Sequence, residues 1–220
     1  MNSDLLKNYK INIIENTNLT SDLFFKIEVV GDCQVGKTSI LKKIIENKFN
    51  PEYIPTSGYE FYPYMFKIED KYVKFQIWDM CGQENYRSAL LNLYRNASLG
   101  ILVYSITDYK TFQNLDTWIT QMRKNAPFNS KIILLGNKAD DEQNREVTYE
   151  QGKKVCQKYN LEFFMEVSAK SGFKSPNFLE ISAARLYDEF LHGEDTETTT
   201  NNNESISLDK IYDKKKFHCC

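Results

Sequence analysis

No stretch of this 220-residue chain is apolar for the length a membrane span requires. No early basic segment leads into an apolar run, so no secretory signal is read. Asn2 stands where N-myristoylation needs glycine. The five cysteines, at 33, 81, 156, 219 and 220, have neither disulfide-framework nor zinc-site spacing. The expectation is a reduced, intracellular protein. A formal charge of only −2 gives no basic excess for nucleic acid, and no nucleic-acid partner is expected. Internal repeats are also missing. What is present is a 41% hydrophobic share, enough for one globular domain with tails.

The most informative stretch is Gly31-Asp32-Cys33-Gln34-Val35-Gly36-Lys37-Thr38-Ser39. It lies between a short apolar run, Phe24 to Val30, and a helical pattern, Ile40 to Ile45. Strand, glycine-bounded turn and helix together make the context of a phosphate-binding loop. Its successive N–H groups can converge on phosphate oxygens, and the helix adds its unpaired N–H groups and positive dipole end. Lys37 is expected to reach the β- and γ-phosphates, and the Thr38 hydroxyl to ligate Mg²⁺.

Along the chain, residues 1–23 read as a flexible N-terminal arm, 24–192 as the folded domain and 193–220 as a disordered tail. Phe25, Ile27 and Val29 alternate with Lys26 and Glu28, so the first strand begins half exposed. Tyr59 to Ile68 and Tyr72 to Trp78 read as an antiparallel hairpin. Pro63 has no N–H for a central ladder and places the first arm of that hairpin at the sheet edge. Three continuous apolar runs, Leu99–Ile106, Ile132–Leu135 and Phe163–Val167, suit strands covered on both faces. Helical patterns separate them, one opening with a capping box at Thr148 and Gln151. The expected fold is α/β: a six-stranded, mostly parallel sheet with one antiparallel edge strand and helices on both faces. Its ligand belongs beyond the carboxyl ends of the strands.

Three further motifs carry chemistry. Asp79 ends a strand and can hold Mg²⁺ through a water. Gly82 allows close backbone approach to a γ-phosphate, and Gln83 can orient an attacking water. Asp140, in Asn137-Lys138-Ala139-Asp140, can accept the paired N1–H and N2–H₂ donors of guanine, which adenine lacks. Lys138 can lie over the base, and Asn137 can tie this loop to the phosphate loop. Ser168-Ala169-Lys170 can donate a backbone N–H to the guanine O6.

With these motifs in this order, the chain resembles the Ras superfamily of small GTPases, and most closely its Rab branch, from about Phe25 to Leu191. The marks are GDCQVGKTS, YIPTSGYEF, WDMCGQE, NKAD, SAK and the terminal Cys-Cys. The resemblance implies a P-loop NTPase small G domain binding GTP or GDP with Mg²⁺. It implies that Phe49 packs against guanine, that Tyr53 covers the phosphates, and that Thr56 completes a metal shell begun by Thr38 and Asp79. Gln83 and Lys37 are then the catalytic residues, and hydrolysis is slow without a partner, because no arginine stands where a built-in finger would be expected.

Cys219 and Cys220 look like a double prenylation signal. Phe217, fourth from the end, excludes a C-a-a-X box. Two lipid chains matter because one anchors only marginally. The implied partners are an exchange factor, a GTPase-activating protein, effectors, a prenyl transferase and a prenyl-chaperone. The implied setting is the cytoplasmic face of an intracellular or plasma membrane, with a cytosolic pool, and a monomeric switch in vesicle traffic. Trp78 with Phe61 resembles the aromatic surface Rab effectors read; a buried core role is the alternative. The chain departs from the Rab pattern at Met80-Cys81, where Thr-Ala is usual, and at Ser57, Tyr59 and Asp141. Met80-Cys81 leaves a second reading open, a GTP-loaded scaffold with negligible hydrolysis.

Overall fold

A computed structural model describes residues 6, 8–52, 54–82, 91–174 and 177–197. The strands are β1 (Ile11–Ile14), β2 (Leu23–Val30), β3 (Tyr59–Ile68), β4 (Lys71–Met80), β5 (Leu99–Ser105), β6 (Lys131–Asn137) and β7 (Phe164–Glu166). The helices are α1 (Lys37–Glu46), α2 (Tyr109–Gln113), α3 (Leu115–Asn125), α4 (Tyr149–Lys158) and α5 (Asn177–Glu197). Short 3₁₀ turns occupy Leu91–Tyr94 and Glu142–Asn144.

These strands form one sheet in the order β1-β3-β4-β2-β5-β6-β7. β2, β4, β5, β6 and β7 run parallel, while β1–β3 and β3–β4 are antiparallel. The middle of the sheet is where the continuous apolar runs lie. All of β5 is buried, and β6 is buried from Ile132 to Asn137. Strands covered on both faces have no solvent side on which to place polar residues. Helix α3 buries one stripe, Leu115, Trp118, Ile119 and Met122, as its three-and-four spacing dictates. The capping box at the start of α4 is formed, with Gln151 N–H donating to the Thr148 hydroxyl and Thr148 N–H to the Gln151 side chain. No helix among the described residues is long and apolar enough to cross a membrane.

Two expectations are corrected. The sheet has seven strands, not six, and the extra one comes from the segment read as a mobile arm. Ile11–Ile14 pairs with Met65–Ile68. Lys10 N–H donates to the Glu69 carboxylate at 2.7 Å, Lys74 Nζ to the Thr17 carbonyl at 2.9 Å, and Tyr72 N–H to the Asp22 carboxylate at 2.7 Å. Four residues carry too short an alternation to show as a strand. What holds them is pairing with a partner more than fifty positions away, and local sequence does not display it. β3 is consequently an edge only over its first half. Pro63 lies in that half, paired with Gln76 on β4 and beyond the reach of β1, so its missing N–H breaks no ladder. The second correction is Glu28, expected on the half-exposed side of its strand and in fact fully buried.

The chain divides into two compact units, Met1–Leu186 and Tyr187–Cys220. The first holds the whole sheet and every described residue of the cleft below. The described part of the second is the remainder of α5.

Candidate nucleotide-binding cleft

The parallel strands β2, β4, β6 and β7 deliver their C-terminal ends to one edge of the sheet, and a cleft of about 850 Å³ opens there. Of the residues singled out from sequence, Cys33, Gln34, Gly36, Lys37, Thr38, Ser39, Phe49, Thr56, Gly82, Asn137, Lys138, Asp140, Ala169 and Lys170 line it. Gly31, Val35, Asp79 and Ser168 form its supporting wall. Tyr53, Gln83, Cys219 and Cys220 lie outside the described residues.

The phosphate loop leaves β2 and caps α1 with Gly36 in a left-handed conformation, φ 94°. A Cβ there would stand 2.3 Å from Asn137 Nδ2, so this position excludes larger residues twice over. Gln34 is also left-handed, φ 61°, an uncommon choice for a residue with a side chain. Reading the loop by its two glycines missed this third position. Asp32 is held from behind: its carboxylate accepts from Asn114 Nδ2 at 2.6 Å and Trp118 Nε1 at 2.8 Å. Helix α3 thereby anchors the loop.

Lys37 is buried, and its ammonium donates to the carbonyls of Gly31 at 3.0 Å and Asp32 at 2.8 Å. Burial pushes its pKa down, and the nearby Asp79 works against that. Across the floor, Thr38 Oγ1 donates to Asp79 Oδ2 and lies 2.8 Å from Thr56 Oγ1. Thr38 has one proton and gives it to the carboxylate, so Thr56 is the donor in the second bond. The other carboxylate oxygen, Asp79 Oδ1, is buried and has no hydrogen-bond partner among the described residues. Burial lifts the Asp79 pKa to about 6, held back by the Thr38 hydroxyl and Lys37.

Two hydroxyl oxygens and a carboxylate with one oxygen unpartnered among the described residues stand side by side. That donor set fits a hard cation of the Mg²⁺ kind. Among the described residues no group of three His, Cys, Asp or Glu side chains could hold a metal, so a thiolate or imidazole metal has no site.

Gly82 packs directly on the phosphate loop. A Cβ added to it would stand 2.4 Å from the Asp32 carbonyl oxygen and 2.5 Å from Cys33 N. Just before it, Cys81 is buried and its N–H donates to the Gly58 carbonyl at 2.9 Å, which ties this segment to the start of β3. Met80 points elsewhere, into the core with Val30, Leu102 and Trp118.

At the far end of the cleft, Asn137 is the central tie. Its Nδ2 donates to the Val35 carbonyl at 2.8 Å, and its Oδ1 accepts from Ala169 N–H at 3.2 Å. The phosphate loop and the two loops after β6 and β7 therefore meet on one buried amide. Ser168 Oγ donates to Asp140 Oδ1 at 2.5 Å and fixes the carboxylate, while Lys170 Nζ lies 3.8 Å from its other oxygen. Arg145 was not singled out from sequence. It joins Glu166 through two parallel bonds of 2.7 and 2.9 Å and donates to the Val147 carbonyl at 2.8 Å, bracing the loops after β6 and β7 from outside. No local motif marks this pair.

Beside the cleft, Trp78 meets Tyr59 and Phe61 at ring separations of 5.2 and 5.1 Å. Tyr59 is 50% exposed and Phe61 45%, so these rings make a surface rather than a core.

The Ras family model matches residues 26–187. The chain is 40% identical over 150 residues to the Ras-related protein SEC4 of Candida albicans, covering 68% of this chain and 71% of that one. It is 37% identical over 200 residues to the Ras-related protein Rab-13 of Bos taurus, covering 90% and 96%. Against the Ras-related protein RABA1g of Arabidopsis thaliana it is 34% identical over 206 residues, covering 90% and 94%.

Proposed function

From the premise that this chain belongs to the Ras family of small GTPases, in its Rab branch, and is a GTPase of vesicle traffic, we propose the following working of its cleft. The backbone N–H groups of Gly31 to Ser39 bind the β- and γ-phosphates of GTP. Lys37 leaves its two carbonyl partners to neutralise them. Asp140, oriented by Ser168, selects guanine; Lys138 and Phe49 flank the base, Tyr53 covers the phosphates, and Ala169 and Lys170 close the O6 side.

Thr38, Thr56 and Asp79 hold Mg²⁺, which supplies charge neutralisation of the phosphates. The observation that carries this reading is that the Thr38 hydroxyl joins Thr56 to Asp79, whose other carboxylate oxygen is buried and, among the described residues, unpartnered. Thr56 comes from the segment ahead of β3, and Gly82 from the end of β4. Both are gripped when a third phosphate is present and released when it is lost. Gln83 positions the attacking water.

Unaided turnover is on the order of 10⁻⁴ to 10⁻³ s⁻¹, and an activating protein accelerates it. Exchange factors and effectors read the two moving segments. Cys219 and Cys220 receive two prenyl chains from a transferase, with a prenyl-chaperone carrying the monomeric protein between cytosol and membrane. Lys214, Lys215 and Lys216 add weak attraction to anionic headgroups.

Amide NMR of the purified chain with GDP and with a non-hydrolysable triphosphate tests the switch. Thr56 and Gly82 are expected to move, and identical spectra refute it. Localisation of the full chain beside one lacking Cys219 and Cys220 tests the anchor.

One observation favours a second reading, a scaffold with negligible hydrolysis: Cys81 is buried immediately before Gly82. Met80 gives that reading no support, because its side chain lies in the core. Cys81→Ala in a single-turnover assay separates the two, since a large gain in rate would favour the scaffold.

A further inference from the structure

Beneath the Trp78 surface lies a polar cluster that nucleotide chemistry does not use. Glu28, on β2, is fully buried, and among the described residues its carboxylate has no partner but the Lys26 ammonium. Its charge is met by Lys26 Nζ at 3.0 Å. That ammonium is shared: it also donates to the Leu93 carbonyl and, at 3.0 Å, to the Arg95 carbonyl. Both carbonyls belong to the 3₁₀ turn Leu91–Tyr94 and the residue that follows it. The same ammonium lies 5.5 Å from the centroid of the Trp78 ring. Trp78 is the register partner of Glu28 on the neighbouring strand, and its Nε1–H is buried without an acceptor among the described residues. A buried carboxylate with a single partner and a buried donor with none among the described residues therefore stand on paired positions of adjacent strands.

Each is costly alone, and an unpaired buried carboxylate costs the more. Lys26 is what makes Glu28 tolerable, and Lys26 is also what grips the Leu93–Arg95 stretch. A displacement of that stretch draws the ammonium away and strands the carboxylate. The side-chain donor carried by its register partner on β4 is the indole N–H. On the other β2 neighbour the register partner is Gly100, which offers no side chain. Among the described residues, the charged group acting on Glu28 is Lys26.

We propose that Glu28 is a positioning residue that exchanges donors, Lys26 for Trp78 Nε1–H, so that displacement of the Leu93–Arg95 carbonyls turns the indole and changes the aromatic face that Tyr59 and Phe61 share with it. This rests on the switch reading above and adds a route by which nucleotide state reaches a partner surface. The carboxylate is the centre of the exchange. Without it the indole has no reason to turn, and without Lys26 it is held turned in both states.

The test uses the uniformly ¹⁵N-labelled full chain. Two tryptophans give two indole N–H signals, and Trp78→Phe assigns them. Lys26→Met is expected to carry the Trp78 indole proton downfield, to a hydrogen-bonded position, with GDP and with a non-hydrolysable triphosphate alike. Glu28→Leu is expected to abolish the nucleotide-dependent displacement of that signal while the Thr56 and Gly82 amides keep theirs. An unmoved Trp78 signal in Lys26→Met, or a full displacement surviving in Glu28→Leu, overturns the proposal. Should Thr56 and Gly82 be motionless in the wild type, the switch reading fails, and Lys26→Met in GDP alone still decides the exchange. If Lys26→Met does not fold, Glu28→Leu carries the test, because it removes a buried charge instead of stranding one.

Discussion

Arg145 and Glu166 offer a sharp test of how the base-facing end of the cleft is held. Arg145 comes from the connection after β6, and Glu166 ends β7 two residues before Ser168. Their side chains are 17% and 11% exposed, and two parallel N–H···O bonds join them. Breaking a fully buried pair by removing one partner costs about 3–5 kcal/mol, because the remaining charge is left uncompensated. Some water reaches this pair, so Arg145→Ala is expected to cost about 2–4 kcal/mol. Part of that is the bond to the Val147 carbonyl, about 1 kcal/mol. The double variant Arg145→Met, Glu166→Met replaces both charges with apolar bulk and is expected to recover most of the loss. Urea unfolding at one fixed, saturating GDP concentration measures all three, since bound nucleotide adds its own stabilisation and must be held constant. Release of a fluorescent GDP should also quicken in Arg145→Ala, because the loops carrying Asp140 and Ser168 lose their brace. A single-variant cost below about 1 kcal/mol, or a double variant as unstable as the sum of the singles, would refute the argument.

The pH dependence of stability should carry the mark of Glu28, whose carboxyl is pushed from 4.5 to about 7, chiefly by burial, with Lys26 opposing. Folding favours its protonated form, so that stabilisation is complete below about pH 4.5 and lost as pH rises through about 7. The loss is on the order of 3 kcal/mol, and Glu28→Leu should flatten the curve in urea titrations across this range. Asn137→Ala removes a tie with two buried bonds, each worth about 1–2 kcal/mol, and should speed GDP release by roughly tenfold to a thousandfold in stopped-flow fluorescence. In Gly82→Ala the added methyl stands 2.4 Å from the Asp32 carbonyl carbon and oxygen, which requires the phosphate loop to shift; calorimetry should show triphosphate affinity falling more than GDP affinity. Chelation of Mg²⁺ with EDTA should accelerate GDP release, and a rate unchanged by the chelator would count against the Thr38, Thr56 and Asp79 site.

What was legible in the sequence was local. The phosphate loop, the Asp79 and Asn137 motifs and the Thr148 capping box each depend on neighbours within a few positions, and each has the chain geometry expected of it. The apolar runs of β5 and β6 could be read because strands covered on both faces leave no choice of residue. Everything missed depends on partners far apart in the chain. β1 exists through a ladder to β3; Arg145 finds Glu166 across a helix and a strand; Asp32 is anchored by Asn114 and Trp118 on the far side of β5. Glu28 was misread for the opposite reason. Its alternation with Ile27 and Val29 followed the local rule for an exposed face, and the packing of the chain after Gly82 over that face overrode it.

The departures from the Rab pattern can be sorted by where their side chains go. Met80 enters the core among Leu102, Trp118 and Val30, so its bulk is a matter of packing and leaves the floor of the cleft unchanged. Cys81 is the one whose backbone matters. Its N–H joins Gly58, and through it the end of β4 is tied to the beginning of β3. Both segments that are proposed to respond to the γ-phosphate thus share a backbone bond besides the proposed metal site, so the segments that carry Thr56 and Gly82 are joined by the protein itself. A residue with a larger side chain at 81 must fit around that bond while remaining 3% exposed. That constraint falls on the coupling between the two segments rather than on the chemistry of any single group.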